Sequence, residues 1–217
     1  VAITSHMFIG PAALLMAIIF FRYGTTEQGL SAYTSQPPDP FWAKMDFYMV
    51  HVGEIITGNF IFQLLFWILR WETGIDVFLH HLGFAVAGIL VLLTQMYPYL
   101  SAAAIGMEVS SPFLSLHTLL RQLEGDACAA LSTLSAAVFS ALFFVVRIFF
   151  YGYVVLNFQY LYYTRWDIFP SWVDSSITAA IGTTFLVGWV LQLFWARMVW
   201  AKSMKSLRGL LGKSKSK

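Results

Sequence analysis

Long apolar runs separated by short polar segments dominate this sequence. Each run is bounded by charged or turn-forming residues, and about 20 apolar residues are enough to cross the hydrocarbon core of a bilayer. The pattern predicts six membrane-spanning helices, at residues 6–22, 46–69, 77–97, 100–120, 131–157 and 175–200. In a chain of 217 residues these spans leave no room for a separate soluble domain. We therefore expect one all-α polytopic membrane bundle of about six transmembrane helices.

Residues 23–45 are the only long loop that the pattern predicts. Pro37, Pro38 and Pro40 in this segment forbid a continuous helix, because proline lacks the backbone donor and clashes with the preceding turn. An even number of spans places both chain termini on the same side of the membrane.

Charge is distributed unevenly along the chain. Residues 1–196 carry 6 basic and 11 acidic residues, whereas residues 197–217 carry 7 basic residues and no acid. By the positive-inside rule, this excess predicts cytoplasmic termini. We divide the chain into one transmembrane domain, residues 1–205, and a basic cytoplasmic-type tail, residues 206–217.

Composition excludes several classes of protein. The chain is 59% hydrophobic and only 11% charged, far from the roughly 25% charged residues of soluble domains. The basic tail directly follows a span, which favours a juxtamembrane segment over nucleic-acid binding. The single cysteine, Cys128, excludes an intrachain disulfide and a cluster of thiolate metal ligands, and we expect no metal site.

The second span carries His51, Glu54 and Gly58 at helical spacings of three and four, with Asn59 beside them. A carboxylate next to an imidazole can act in acid/base chemistry, or it can neutralise a buried charge. From the spacing alone we prefer the structural pairing.

The fourth span contains the polar stretch Glu108, Ser110, Ser111 and Pro112. Pro112 cannot donate a backbone hydrogen bond, and serine hydroxyls can bond to the freed carbonyls, which predicts a broken or kinked helix. Such a break is tolerated where the backbone faces protein or a watery cavity. A functional cavity and a packing kink both explain the pattern.

Two later spans add single buried polar residues. Arg147 lies among aromatic and aliphatic neighbours and needs an anion; Glu54 and Glu108 are the candidates within the chain. A lipid or acyl-carrier phosphate is an alternative partner, but an internal salt bridge is the simpler interpretation. In the last span Gln192 lies between Trp189 and Trp195, a stripe more typical of core packing or membrane anchoring than of a cofactor site.

The third span opens with His80 and His81, which point about 100° apart on a helix and therefore need partners from other helices. We expect no cofactor. Haem or pigment ligation by a buried histidine is the alternative, with His51, His80, His81 and His117 as candidates.

Four of these landmarks in order resemble the TLC domain shared by the TRAM, LAG and CLN proteins. They are the His80–His81 pair, "EVSSPFLSL" in the fourth span, "FFVVRIFF" in the fifth and "LQLFWARMVWAK" in the last, and the resemblance covers roughly residues 45–205. It implies a helical bundle of six or seven spans around a central polar cavity, with Glu108 to Pro112 on its inner wall.

The catalytic branch of that family, the ceramide synthases, joins a fatty acyl group from acyl-CoA to a sphingoid base. Its signature begins with a histidine pair, which His80 and His81 match, and these two are the candidate catalytic residues. The paired aspartates that follow in the signature are absent, since Glu108 is the only acid between His81 and Arg121. The sequence is closer to the small non-synthase TLC proteins, and both acyltransferase-like activity and lipid binding without catalysis stay open.

The sequence thus predicts a protein that binds or handles membrane lipid in an intramembrane cavity. The predicted cavity residues are His51, Glu54, Asn59, Glu108, Ser110, Ser111, Arg147 and Gln192. The alternative is an accessory scaffold subunit of a respiratory, ATP synthase or photosynthetic membrane complex, in which other membrane subunits are the partners. Lys213 and Lys215 match the Lys-x-Lys-x-x retrieval signal, which favours the endoplasmic reticulum over a mitochondrial inner or plastid membrane.

Overall fold

A computed structural model describes residues 40–70, 74–94, 98–169 and 174–214 of the chain. These residues form helices and no strand. The α-helices are α1 (Pro40–Arg70), α2 (Ile75–Thr94), α3 (Pro98–Gly106), α4 (Ser111–Leu120), α5 (Asp126–Leu142), α6 (Tyr151–Thr164) and α7 (Ser175–Ser214). A 3₁₀ segment, Met107–Ser110, joins α3 to α4, a π-helical segment, Phe143–Phe150, joins α5 to α6, and a short 3₁₀ turn, Trp166–Ile168, follows α6.

Counted across the 3₁₀ and π-helical segments, the described residues form five long helical units, which correspond in position to the last five predicted spans. The first predicted span, residues 6–22, lies outside the described residues, so the count of six spans stays a prediction. The predicted loop through residue 45 ends too late, because α1 already begins at Pro40. Proline is well suited to the first helical position, where its missing N–H would have no partner in the helix.

Two continuous helices are long and apolar enough to cross a membrane, namely Asp126–Thr164 and Ser175–Lys205. Only 17% and 28% of the most apolar 18-residue stretch of each helix is buried inside the protein, whereas the core helix of a soluble protein is mostly buried. Large leucine, valine and phenylalanine side chains are exposed along both helices. Lipid is the solvent in which such surfaces are stable.

Helix α3 lies at the centre of the described bundle and packs against α1, α2 and α6. Its residues Leu100, Ala102, Ala103 and Ala104 have almost no exposed surface. The small alanine side chains allow neighbouring backbones to approach closely, which is how helices associate tightly in membranes.

Glycines provide close contacts between other helix pairs. Gly88 of α2 faces Thr57 of α1, and Gly152 of α6 faces the indole of Trp189 in α7. A Cβ atom at position 152 would lie 2.5 Å from Trp189 Nε1, so only glycine fits without a shift. These contacts fix α2 against α1 and α7 against α6.

Two changes of helix type occur inside the bundle. The 3₁₀ segment ends where the Ser111 N–H donates to the Glu108 carbonyl, immediately before Pro112. Pro112 cannot supply the next α-helical bond, which explains the tighter turn. This change of helix type is local, and a kink or break of the whole fourth span stays a prediction.

Candidate functional site

The most polar group of side chains in the described interior surrounds Arg147. Its Nη2 atom lies 3.4 Å from Glu108 Oε1 and donates to Ser111 Oγ at 2.7 Å, and its Nε atom donates to Ser110 Oγ at 2.9 Å. The Ser111 hydroxyl in turn donates to Glu108 Oε2. Arg147 and Glu108 are 6% and 5% exposed. We call Glu108, Ser110, Ser111 and Arg147 the ionic cluster.

Both partners of this ion pair lie on irregular helix segments. Glu108 belongs to the 3₁₀ segment and Arg147 to the π-helical segment, and the two segments pack against each other. π-Helical turns are rare and occur often at functional sites. The ring of Phe143, 5.6 Å from the Arg147 guanidinium carbon, covers the cation from the preceding turn.

The ionic cluster is electrically neutral as a unit, because one guanidinium faces one carboxylate. The two serine oxygens add acceptors for Arg147, and one of the serines adds a donor for Glu108. A buried pair that is satisfied in this way can persist in the membrane interior without an external anion. The cluster is therefore consistent with a purely structural role.

His80 lies in an aromatic enclosure made by three helices. Its ring centroid is 4.6 Å from that of Phe84, 4.9 Å from Trp195 and 6.4 Å from Phe60, and the rings meet edge to face. His80 is buried, whereas the neighbouring His81, 5.5 Å away between ring centroids, is only half-buried. The pair thus occupies two different environments.

Gln192 of α7 is completely buried, with 0% of its surface exposed. Neither its amide nitrogen nor its amide oxygen has a hydrogen-bond partner among the residues that the structure describes. Three positions earlier, Trp189 donates to the Ile148 carbonyl, next to Arg147. Three positions later, Trp195 contacts His80. Since each step of three residues rotates a helix by about 60°, Gln192 lies between the face that contacts the Ile148 carbonyl and the face that contacts His80.

The polar residues of the second predicted span, His51, Glu54 and Asn59, lie on α1. His51 Nδ1 and Glu54 Oε2 lie 2.9 Å apart, and their side chains are 48% and 55% exposed on α1. Asn59 is half-buried, and its Nδ2 atom has no hydrogen-bond partner among the described residues. The assignment of these three residues to a cavity with Arg147 stays a prediction.

The remaining histidine of the described chain, His117, joins α4 to α5. Its Nδ1 atom lies 2.9 Å from Ser132 Oγ and 3.0 Å from the Ser132 carbonyl oxygen. Within the described ranges, no three His, Cys, Asp or Glu side chains are grouped so that they could hold a metal ion. Haem or pigment ligation stays an untested alternative.

Sequence reasoning did not identify the aromatic side chains that enclose His80. Phe84 follows His80 by four positions, so the helical spacing contained a signal for this contact. Phe60 comes from α1 and could not be placed beside His80 without the packing of α1 on α2. The buried hydroxyl of Tyr151, which donates to the Phe185 carbonyl at 3.0 Å, was also not foreseen.

Comparison with known families gives one result that covers most of the chain. The family model of the TLC domain, which groups TRAM, LAG1 and CLN8 proteins, matches residues 3–201. The chain belongs to the TLC-domain family. Comparison with curated proteins and with solved structures gave no match.

Family membership confirms the resemblance that the sequence motifs indicated. A TLC domain together with two long apolar helices identifies a membrane protein, with a lipid-related role at the level of the family. The ionic cluster, His80 and Gln192 all lie inside the matched range. The distinction from ceramide synthases and the organelle stay predictions.

Proposed function

We propose that this TLC-domain protein binds lipid inside its helix bundle, at the buried amide of Gln192 and beside His80. The observation that carries the proposal is the buried amide of Gln192, which has no partner among the described residues. A buried amide that makes no hydrogen bond costs about 1–3 kcal/mol. A polar lipid group that both donates and accepts would supply the missing bonds.

Three different helix passes support this site. His80 comes from α2 and Gln192 from α7, and the two tryptophans flanking Gln192 contact His80 and the Ile148 carbonyl of the π-helical segment. Polar side chains within membrane spans are costly and commonly mark substrate pathways. Gln192 has no exposed surface, so a ligand must displace neighbouring side chains to reach its amide. We propose further that this site belongs to a central polar cavity within a bundle of six membrane spans.

The division of roles follows from the chemistry of the side chains. Gln192 would orient the polar end of the lipid through its amide, while Trp195 and Phe84 would contact its apolar part. Catalysis would require an imidazole of His80 or His81 within about 3.2 Å of a reacting group, directly or through one water. An unchanged cellular lipid profile after replacement of both histidines would remove catalysis from the proposal and leave lipid binding.

The test is a labelling titration of the purified full chain with a photoactivatable long-chain fatty acid. Gln192→Leu removes one or two hydrogen bonds to the lipid, which together contribute about 1–3 kcal/mol. The fatty-acid concentration that gives half-maximal labelling should therefore rise roughly 5- to 150-fold. Thr183→Val on the exposed face of the same helix is the matched control and should change it less than about twofold. Equal labelling of the native chain and Gln192→Leu would contradict the proposal.

A second candidate function is favoured by the neutrality of the ionic cluster. Because Arg147 is held by Glu108, Ser110 and Ser111, the cluster needs no ligand, as expected of an accessory scaffold subunit in a larger membrane complex. Extraction in mild detergent distinguishes this candidate. A scaffold subunit co-purifies with stable partner subunits in defined amounts, whereas a lipid-binding protein is recovered alone with lipid.

A further inference from the structure

A basic surface occupies the last part of the membrane-spanning portion of α7. Arg197, Lys202 and Lys205 are all exposed, and the candidate span itself ends at Lys205. In sequence, residues 197–217 contain seven basic residues and no acid. The backbone of α7 stays helical to Ser214, which fixes the relative positions of these exposed charges. We call Arg197, Lys202 and Lys205 the basic surface.

Two contacts set the direction in which the lysines point. The Trp200 ring packs edge to face on Phe144 at 5.9 Å, and the Ser203 hydroxyl donates to Ser140 Oγ at 2.9 Å. Both contacts hold one side of α7 against the helix that contains α5 and the π-helical segment. Lys202 is about 160° from Trp200, and Lys205 is about 160° from Ser203. Each lysine therefore points away from the bundle.

The position along the helix favours a lipid partner. Arg197 and Lys205 are eight residues apart, so the three basic residues extend over about 12 Å of helix. The charge of a head-group layer acts over the thickness of that layer plus the Debye length, which is about 8 Å in physiological salt. The distance of about 12 Å between the first and last basic residues is comparable with this range. Trp200, between the charges, is the residue type that anchors helices at the membrane–water interface. The charges are thus held within reach of head groups, with no folding step needed.

We propose that the basic surface binds anionic phospholipid head groups of the leaflet next to the end of α7. This surface is separate from the interior site, and the inference does not depend on the proposed function. A lysine near an anionic membrane surface contributes about 1 kcal/mol, which is roughly a fivefold change in affinity. Lys202 and Lys205 together should contribute about 25-fold.

The experiment is a native mass spectrometry titration of the full chain in detergent with phosphatidylserine and, separately, phosphatidylcholine. The native chain should bind phosphatidylserine more tightly, and Lys202→Gln with Lys205→Gln should weaken that binding about 25-fold while leaving phosphatidylcholine binding unchanged. Both lysines are exposed, so the elution volume and the melting temperature of the double variant should equal those of the native chain.

Arg165→Gln is the matched control. Arg165 follows the last residue of α6, whereas the end of α7 that carries the basic surface packs on Ser140 and Phe144. Arg165 also pairs with Asp167 at 3.3 Å. Its phosphatidylserine affinity should change less than about twofold. Raising the salt concentration should weaken phosphatidylserine binding to the native chain toward that of the double variant. Equal binding of the two lipids, or an unchanged phosphatidylserine affinity in the double variant, would overturn the proposal; the latter is also the result expected if the surface binds an acidic protein segment instead.

Discussion

Replacing Glu108 by glutamine removes the only carboxylate that the described structure places against Arg147. At 3.4 Å and an effective dielectric constant of about 20, the attraction between the two charges is about 5 kcal/mol. Glutamine keeps one hydrogen bond but not the charge, and breaking a buried pair typically costs about 3–5 kcal/mol. At roughly 2–4 °C per kcal/mol for a chain of this size, Glu108→Gln should lower the melting temperature by about 6–20 °C.

Arg147→Met should cost less than Glu108→Gln. An isolated carboxyl group can lose its charge by taking up a proton, whereas a guanidinium cannot release one in a protein. The double variant, Glu108→Gln with Arg147→Met, contains neither charge. It should therefore be more stable than Glu108→Gln alone. The coupling energy between the two positions should therefore be large, on the order of 2–3 kcal/mol.

The assay is thermal unfolding of the detergent-solubilised full chain, followed by intrinsic tryptophan fluorescence. Arg165→Met is the matched control: the Arg165–Asp167 distance is 3.3 Å, but the side chains are 43% and 69% exposed. An exposed pair contributes about 0–1 kcal/mol, so the control should shift the melting temperature by at most about 4 °C. A melting-temperature shift for Glu108→Gln no larger than that for Arg165→Met would contradict a stabilising ion pair between Glu108 and Arg147.

Two further stability predictions use the same assay. Gly88→Ala should lower stability by about 1–3 kcal/mol, because its Cβ atom would lie 3.1 Å from Thr57 Cβ. Gly83→Ala on the same helix, whose Cβ atom would have no neighbour within 4 Å, is the control and should be neutral or slightly stabilising. Equal effects of the two substitutions would show that α1 and α2 are not packed as described. Gln192→Leu should raise stability by about 1–3 kcal/mol, because it removes a buried amide without partners, and a loss of stability would show that the amide is hydrogen-bonded in the folded protein.

The helices were more predictable than the directions in which they face. The apolar runs predicted the last five helical units, although the final helix ends at Ser214 rather than at residue 200, and the spacing of His51 and Glu54 predicted that they share a face. It did not show that this face is exposed. In a soluble helix the polar side marks solvent, but lipid and protein interior are both apolar, so periodicity does not distinguish them.

The ionic cluster was predictable in part. A buried arginine requires an anion, and Glu108 was one of two acids in suitable spans; the choice between Glu108 and Glu54 required the packing of the 3₁₀ segment on the π-helical segment. Pro112 gave a sequence signal for the first irregular segment. The sequence "FFVVRIFF" contains no proline or glycine that would signal the second.

The most direct test of lipid binding inside the bundle is to map where a photoactivatable fatty acid becomes attached to the native full chain. If lipid binds inside the bundle, adducts should form on interior residues of α2 and α7, near His80, Gln192 and Trp195, and they should be lost in Gln192→Leu. Adducts confined to exposed residues such as Leu93 and Phe149, with none on the interior residues, would contradict lipid binding inside the bundle.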